Sequence, residues 1–107
     1  MGWDVYVTKW CQRDMDDLAE YILDNDSIET AEVILGKLTE AILSLESFPM
    51  RGRAVPELVL SGIDGPRELI VGPHRVLYDV SGKVVHVLAV LDSRRELESL
   101  ISGRLGG

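Results

Sequence analysis

The sequence predicts an α+β fold in which one antiparallel sheet carries a helical hairpin on one face, with the element order β-α-α-β-β-β-α. Three observations predict it: an alternating apolar segment at 3–8, two segments of helical apolar period within 8–48, and three strand-like segments within 68–91. Two-residue turns separate the strand-like segments, and connections this short force antiparallel neighbours. Such a sheet buries its apolar face against helices. We therefore expect one domain across residues 1–107, with a flexible tail at 103–107.

The N-terminal segment 3–8 is a predicted strand that leads directly into a helix. Trp3, Val5 and Val7 fall on one face of the strand, and Thr8 can cap the helix that follows. The helix has one apolar stripe, made by Cys11, Met15, Leu18 and Ile22. Its acidic side chains fall on the other side, and we expect them to be solvated: Asp14, Asp16, Asp17, Glu20 and Asp24.

A second helix is predicted after a break at residues 25–27. Asp26 and Glu29 have the spacing of a capping box, in which each side chain binds an amide at the start of the helix. The apolar period continues to Phe48, where Pro49 disfavours helical geometry in the residue before it. Two amphipathic helices joined by a short turn predict an antiparallel hairpin.

The second half of the chain is predicted to hold a loop, three strands and a short helix. Residues 49–66 are rich in glycine and proline, although 55–60 is apolar enough to pack on the body of the domain. The predicted strands are 68–71, 75–80 and 83–91. Ser93 and Glu96 form a second capping box, which opens a C-terminal helix with three apolar residues on one side: Leu97, Leu100 and Ile101. The sheet face opposite the helical hairpin is expected to be open to solvent or to a partner.

The composition excludes several classes of protein. The chain is 46% hydrophobic, as is typical of a globular domain. Its longest apolar run, 84–91, is interrupted by His86, and it is far shorter than the roughly 20 residues of a membrane-spanning helix. The N-terminus has no secretory signal pattern, and the single cysteine, Cys11, cannot form an internal disulfide. We expect a cytoplasmic protein with no metal and no cofactor.

Charge is distributed unevenly along the chain, whose net charge is −7. Residues 1–48 carry eleven acidic and three basic side chains, whereas residues 49–107 carry seven acidic and eight basic ones. Phosphate binding depends on the local density of Lys and Arg, so any anion site is expected in the second half. The candidate cations there are Arg67, Arg75, Arg94 and Arg95.

Arg75 can take either of two roles. Alternation places Arg75, Leu77 and Asp79 on one face of a strand and Val76 on the other. If Val76 faces the helices, the Arg75 guanidinium points out of the open face, where it can bind phosphate or carboxylate. Alternatively, Arg75 pairs with Asp79 or Glu68 across the sheet. The composition favours this pairing but leaves both roles open.

The histidines and the known catalytic motifs give weaker signals. The sequence has no Ser/His/Asp triad pattern, phosphate loop or HExxH-type metal motif. His74 and His86 lie on different predicted strands, without Cys or carboxylate at ligand spacing. We interpret His86, between Val85 and Val87, as a partly buried structural residue.

Four segments along the chain together resemble one known family, the RelE/ParE superfamily of type II toxin–antitoxin toxins. They are residues 17–22 with Ala31 in the helices, 48–58 in the loop, 67–78 in the sheet, and 90–97 after it. The resemblance covers about residues 3–101, and the family's fold agrees with the predicted element order. It implies a small intracellular toxin, of the plasmid stabilisation type, that arrests growth until a cognate antitoxin wraps over it. It also implies a possible homodimer or toxin–antitoxin hetero-oligomer.

The superfamily has two target classes, and the resemblance is closer to the ParE branch, which poisons DNA gyrase. RelE-like members cut messenger RNA on the ribosome with arginines and lysines on the open sheet and a C-terminal tyrosine or histidine. Here Arg75 and Arg94 match the arginines, but Leu100 stands where the tyrosine would fall. Glu68 puts a carboxylate on the lysine-bearing strand, and Asp92 stands where many ParE-like sequences have histidine.

The resemblance therefore implies a gyrase-binding toxin without catalytic residues of its own. Its target-binding residues would be Arg75, Arg94 and Arg95. The alternative is a ribosome-dependent endoribonuclease that uses Arg67, Arg75 and Arg94 with His86 as the proton shuttle, and a third reading is a degenerate, non-toxic member. The antitoxin would bind by strand addition or as a helix in a groove, against Asp16, Glu20, Asp24, Leu97, Leu100 and Ile101.

Overall fold

The computed structural model describes residues 2–92 and residue 104. Its elements are β1 Asp4–Val7, α1 Lys9–Asn25, α2 Ile28–Ser44, β2 Arg53–Ala54, α3 Pro56–Leu60, β3 Arg67–Val71, β4 His74–Ser81 and β5 Val84–Asp92. One five-stranded sheet has the order β1-β5-β4-β3-β2. The predicted α+β class is confirmed. The predicted C-terminal helix, from Ser93 through Ile101, lies outside the described residues. The prediction of a flexible tail is wrong at Arg104, which is helical and pairs with Asp14 at 2.8 Å.

The strands β3, β4 and β5 form the predicted antiparallel meander. Gly72 and Gly82 adopt φ values of 62° and 61° in the connecting turns, and glycine reaches this left-handed region without steric cost. A β-bulge shifts the register of β4 against β5, so that Tyr78 lies opposite Val87 and Leu77 lies opposite Ala89. Such a bulge bends the strand and changes the direction of the β5 residues that follow it.

The pairing of β1 differs from the prediction of a wholly antiparallel sheet, because β1 runs parallel to β5 in the register Asp4↔Val84 to Val7↔Val87. The prediction rested on short connections, which constrain only strands that follow each other directly. β1 and β5 are separated by the whole helical hairpin and three strands. A parallel neighbour is therefore geometrically accessible.

The main core lies between the sheet and the two long helices. Leu38 of α2, Leu45 directly after α2 and Cys11 of α1 are fully buried against Val76 and Tyr78 of β4. The predicted inward face of β1 is confirmed, since Trp3, Val5 and Val7 all pack on this core. None of the described helices is long and apolar enough to cross a membrane.

The helix ends confirm one predicted cap and correct two other predictions. Thr8 caps α1 as predicted, because its side chain accepts a hydrogen bond from the Cys11 amide. The predicted capping box at Asp26 is wrong: Ser27 is the cap of α2, and its hydroxyl accepts from the Thr30 amide at 3.1 Å. The helix α2 also ends at Ser44 rather than Phe48. Its last turn tightens into bonds between residues three apart, before the proline is reached.

The segment 49–66 holds two elements that the sequence analysis treated as loop, β2 and α3. As predicted, residues 55–60 pack on the body, with Val55 and Leu58 fully buried against Leu77, Ala89 and Leu91. These three lie on the sheet face opposite α1 and α2. The prediction that this face is open is therefore wrong where α3 covers it.

Candidate functional site

Arg75 lies at the centre of a charged cluster beneath α3. Its side chain is 6% exposed, on the predicted face, opposite the long helices. It donates from Nε to Glu68 Oε1 at 2.7 Å, and from both terminal nitrogens to Glu57 at 2.7 and 2.8 Å. Glu68, fully buried, also accepts from Arg53 Nε at 2.7 Å. The predicted pairing of Arg75 with Glu68 is confirmed, and the alternative of an outward-pointing guanidinium is wrong.

The contacts within the cluster shift the pKa values of Glu57 and Arg75. The Arg75 hydrogen bonds lower the pKa of Glu57 to about 2, despite an opposing effect of burial. The same contact with Glu57, followed by the contact with Glu68, raises the pKa of Arg75 above its usual value. Arg75 is thus a permanent cation, neutralised by two carboxylates of its own chain.

Arg67 lies on the opposite face of the sheet from Arg75. It pairs in register with Tyr78, which faces the long helices, and donates to the Gly52 carbonyl at 2.7 Å and more weakly to that of Met50 at 3.5 Å. The Gly52 amide in turn donates to the Tyr78 hydroxyl at 2.9 Å. Burial raises the pKa of Tyr78. The predicted ribonuclease arginines Arg67 and Arg75 therefore do not form one cluster.

The part of this sheet face at the β1 end lies beyond α3. His86 is half-buried there, and its ring meets that of Tyr6 edge-to-face at a centroid distance of 5.9 Å. Trp10 and Asp79 help to line an adjoining cleft of about 300 Å³. Asp79, opposite His86, is four residues beyond Arg75 along β4, which is about 13 Å at strand spacing. His86 and Arg75 are thus not brought together.

The acidic side of α1 is solvated as predicted at four positions, Asp16, Asp17, Glu20 and Asp24, which are all exposed. Asp14 is the exception. It is 13% exposed, accepts from the Val90 amide at 3.0 Å and pairs with Arg104 at 2.8 Å. Asp14 lies three residues after Cys11, at the border of the apolar stripe of α1. This position is the sequence signal that could have predicted its burial.

The remaining site residues predicted from the sequence lie outside the described residues: Arg94, Arg95, Leu97, Leu100 and Ile101. Within the described part of the chain, no group of three or more His, Cys, Asp or Glu side chains is arranged to hold a metal ion.

The meander with a helical hairpin on one face agrees with the fold expected from the resemblance to the RelE/ParE superfamily. Residues 5–97 match the family model of the ParE toxin of type II toxin–antitoxin system, parDE, and the chain belongs to this family. The comparison with curated protein sequences gives no significant match.

The fold is shared with solved protein structures. A chain of the chromosomal ParDE toxin–antitoxin system from P. aeruginosa superposes with a TM-score of 0.71 at 19% identity, covering 85% of this chain and 96% of that one. The YoeB dimer from Staphylococcus aureus gives a TM-score of 0.56 at 15% identity, covering 89% of this chain and 100% of that one. At these identities the likeness concerns the fold alone.

Proposed function

We propose that this toxin arrests growth by binding DNA gyrase in the cytoplasm, and that a cognate antitoxin neutralises it. Membership of the ParE family supports this proposal. The likeness to a chain of a ParDE system supports an antitoxin as partner.

The observation that carries the proposal is the neutralised state of Arg75. Cleavage through a 2′-hydroxyl needs a general base with a pKa near neutrality and cations free to stabilise the phosphorane. Glu57, the carboxylate on Arg75, has a pKa of about 2 and is too weak a base. Arg67 faces the other side of the sheet. This arrangement suits a protein that acts by binding.

The surface above Arg75 offers groups for that binding. Arg75 holds Glu57 at the start of α3, and the following residues Val59 and Leu60 are 53% and 89% exposed. Exposed apolar side chains beside charged ones are typical of protein interfaces. In this proposal Leu60 contacts gyrase, and Arg75 is a positioning residue that acts through α3. Arg94 and Arg95 remain predicted target contacts.

The test is a gyrase supercoiling assay with purified protein. We expect the natural protein to inhibit supercoiling at stoichiometric amounts, and Leu60→Ala to weaken inhibition by about tenfold, since truncation of an interface residue can cost 1–2 kcal/mol. Leu43→Ala is the matched control, because Leu43 is 58% exposed on α2, away from α3. Gyrase that stays active in a stoichiometric excess of the natural protein would contradict the proposal.

The second candidate is a ribosome-dependent endoribonuclease, favoured by one observation, the placement of His86. This histidine lies on the sheet face beyond α3, beside exposed Tyr6 and Trp10, which could stack on bases. The candidate predicts cleavage of ribosome-bound message that is lost in His86→Gln. If messenger RNA stays intact during growth arrest, the endoribonuclease candidate is ruled out. Harmless overexpression without antitoxin would instead indicate a degenerate member.

The antitoxin contact is proposed to include the exposed acidic row Asp16, Glu20 and Asp24. Their charge predicts Lys or Arg on the antitoxin and an association rate that falls with salt. Salt-independent association would contradict this electrostatic contribution. Leu97, Leu100 and Ile101 remain predicted apolar contacts.

A further inference from the structure

The loop of residues 47–52, between α2 and β2, is held in place by side chains of the sheet. The fully buried Tyr78 of β4 accepts a hydrogen bond from the Gly52 amide at 2.9 Å. Arg67 of β3 donates to the Gly52 carbonyl at 2.7 Å and to the Met50 carbonyl at 3.5 Å. The backbone at the end of the 47–52 loop is therefore fixed from both sides of Gly52.

The start of the 47–52 loop is tied to the end of α2. The Phe48 amide donates to the Ser44 carbonyl at 3.0 Å, and the Arg51 amide donates to the Phe48 carbonyl at 3.2 Å, as in a β-turn. The Arg51 side chain also donates from a terminal nitrogen to the Ser44 hydroxyl at 2.6 Å. A loop held at both ends loses little conformational entropy when a partner binds to it.

Two large apolar side chains project from this fixed backbone. Phe48 is 66% and Met50 is 59% exposed, whereas Pro49 between them is buried. Phenylalanine, methionine and arginine are enriched in the buried centres of protein interfaces. The 47–52 loop therefore presents the side-chain types of an interface in a preset arrangement.

Arg51 and Arg67 are cations without a carboxylate partner among residues 2–92 and 104. Both donate to neutral oxygens instead, whereas the next arginine along the chain, Arg53, pairs with Glu68. Burial raises the pKa of Tyr78, and the charges of Arg67 and Arg51 act against that increase. Both guanidiniums thus lie within electrostatic range of one hydroxyl, where a single bound segment can reach them.

The combination of two guanidiniums with two apolar side chains fits an acidic protein segment. A guanidinium fork binds a carboxylate through two parallel hydrogen bonds. Nucleic acid fits less well, because the net charge of −7 repels a long polyanion, whereas one or two carboxylates need only the local cations. The acidic row proposed for the antitoxin contact requires a basic segment, so the 47–52 loop fits a different protein.

We infer that the 47–52 loop is a second docking surface for the target of the toxin, and that it binds a segment in which carboxylates alternate with apolar side chains. The carboxylates bind Arg51 and Arg67, and the apolar side chains contact Phe48 and Met50. Arg67 lies on the sheet face of the long helices, so this surface differs from that of Leu60 on α3. The identity of the target as gyrase rests on the proposed function.

The test uses the full chain and the peptide Ac-Leu-Glu-Leu-Glu-Leu-NH2, with binding followed by NMR at the Gly52 amide. We expect saturable binding, and at least fivefold weaker binding of Ac-Leu-Gln-Leu-Gln-Leu-NH2, which lacks the charges. Arg51→Gln should weaken binding of the acidic peptide at least fivefold. Arg13→Gln is the matched control, because it removes the same charge from an exposed position on α1 and should leave the affinity unchanged.

Two further comparisons separate apolar contact and nucleic-acid binding from simple charge pairing. Phe48→Ala should also weaken the acidic peptide at least fivefold, whereas Leu43→Ala, which truncates an exposed side chain of α2, should not. A single-stranded oligothymidine should bind more weakly than the peptide at the same salt concentration. Circular dichroism checks that every variant is folded.

The inference is overturned if the uncharged peptide binds equally well, if Arg51→Gln has no more effect than Arg13→Gln, or if the oligothymidine binds more tightly than the peptide. In the supercoiling assay, Arg51→Gln should weaken inhibition at least fivefold and Arg13→Gln should not. Equal inhibition by both variants overturns the inference and leaves gyrase inhibition intact. A natural protein inactive on gyrase contradicts the proposed function and leaves the peptide result intact.

Discussion

Replacing Arg75 by Met should destabilise the protein more than any other charge removal in the cluster. Glu68 is fully buried and Arg75 is 6% exposed, so the substitution leaves a buried carboxylate with Arg53 as its remaining cation. Breaking such a pair costs about 3–5 kcal/mol. Total stability for a domain is about 5–15 kcal/mol. At roughly 4 °C per kcal/mol, Tm should fall by about 12–20 °C.

Urea and thermal unfolding followed by circular dichroism measure this loss. Arg53→Met is the matched control, because it removes a cation from the same carboxylate but from a side chain that is 64% exposed, and should cost less than about 1 kcal/mol. The double variant Arg75→Met/Glu68→Met should recover most of the stability, since no buried charge remains. A loss below about 1 kcal/mol for Arg75→Met alone would refute the reasoning.

Three further predictions concern acid stability, glycine replacements and thiol reactivity. Folding lowers the pKa of Glu57 from 4.5 to about 2, so the contribution of Glu57 to stability is present above pH 4.5 and is lost as pH falls towards 2. Glu57→Gln should therefore reduce the dependence of the free energy of unfolding on pH between pH 5 and pH 3. An unchanged pH dependence would contradict this prediction. Gly52→Ala should destabilise the protein by about 1–3 kcal/mol, because the added Cβ would lie 2.6 Å from the Tyr78 hydroxyl. Gly36 lies within α2 with open space around it, so Gly36→Ala should stabilise the protein by about 1 kcal/mol. The same urea titrations measure both changes. Burial, followed by the charge of Asp14, raises the pKa of Cys11 to about 12, so the folded protein should react with iodoacetamide at pH 8 far more slowly than the unfolded chain.

Local patterns in the sequence predicted the elements whose stability is itself local. The apolar stripe of α1, the cap at Thr8 and the turn glycines Gly72 and Gly82 each depend on residues a few positions apart. For this reason the helical hairpin and the meander followed from periodicity and turn chemistry. The helix α3 did not, because five residues are too few to show a period and Pro56 and Leu60 also fit a loop.

The parts of the site that escaped prediction depend on contacts between distant residues. Glu57 meets Arg75 from 18 positions away, and Arg104 meets Asp14 from 90 positions away. Alternation correctly assigned the face on which Arg75 lies. It carried no information on what covers that face.

The register of β1 against β5 has a consequence for synthesis. Within the described residues, β1 pairs with β5 alone, and β5 is the last strand of that part of the chain. A nascent chain that ends before Val84 therefore holds β1 unpaired and β4 with one bare edge. Such edges recruit other chains. Completion of the five-stranded sheet is thereby delayed until β5 has been translated, so that a product terminated before Val84 cannot assemble it.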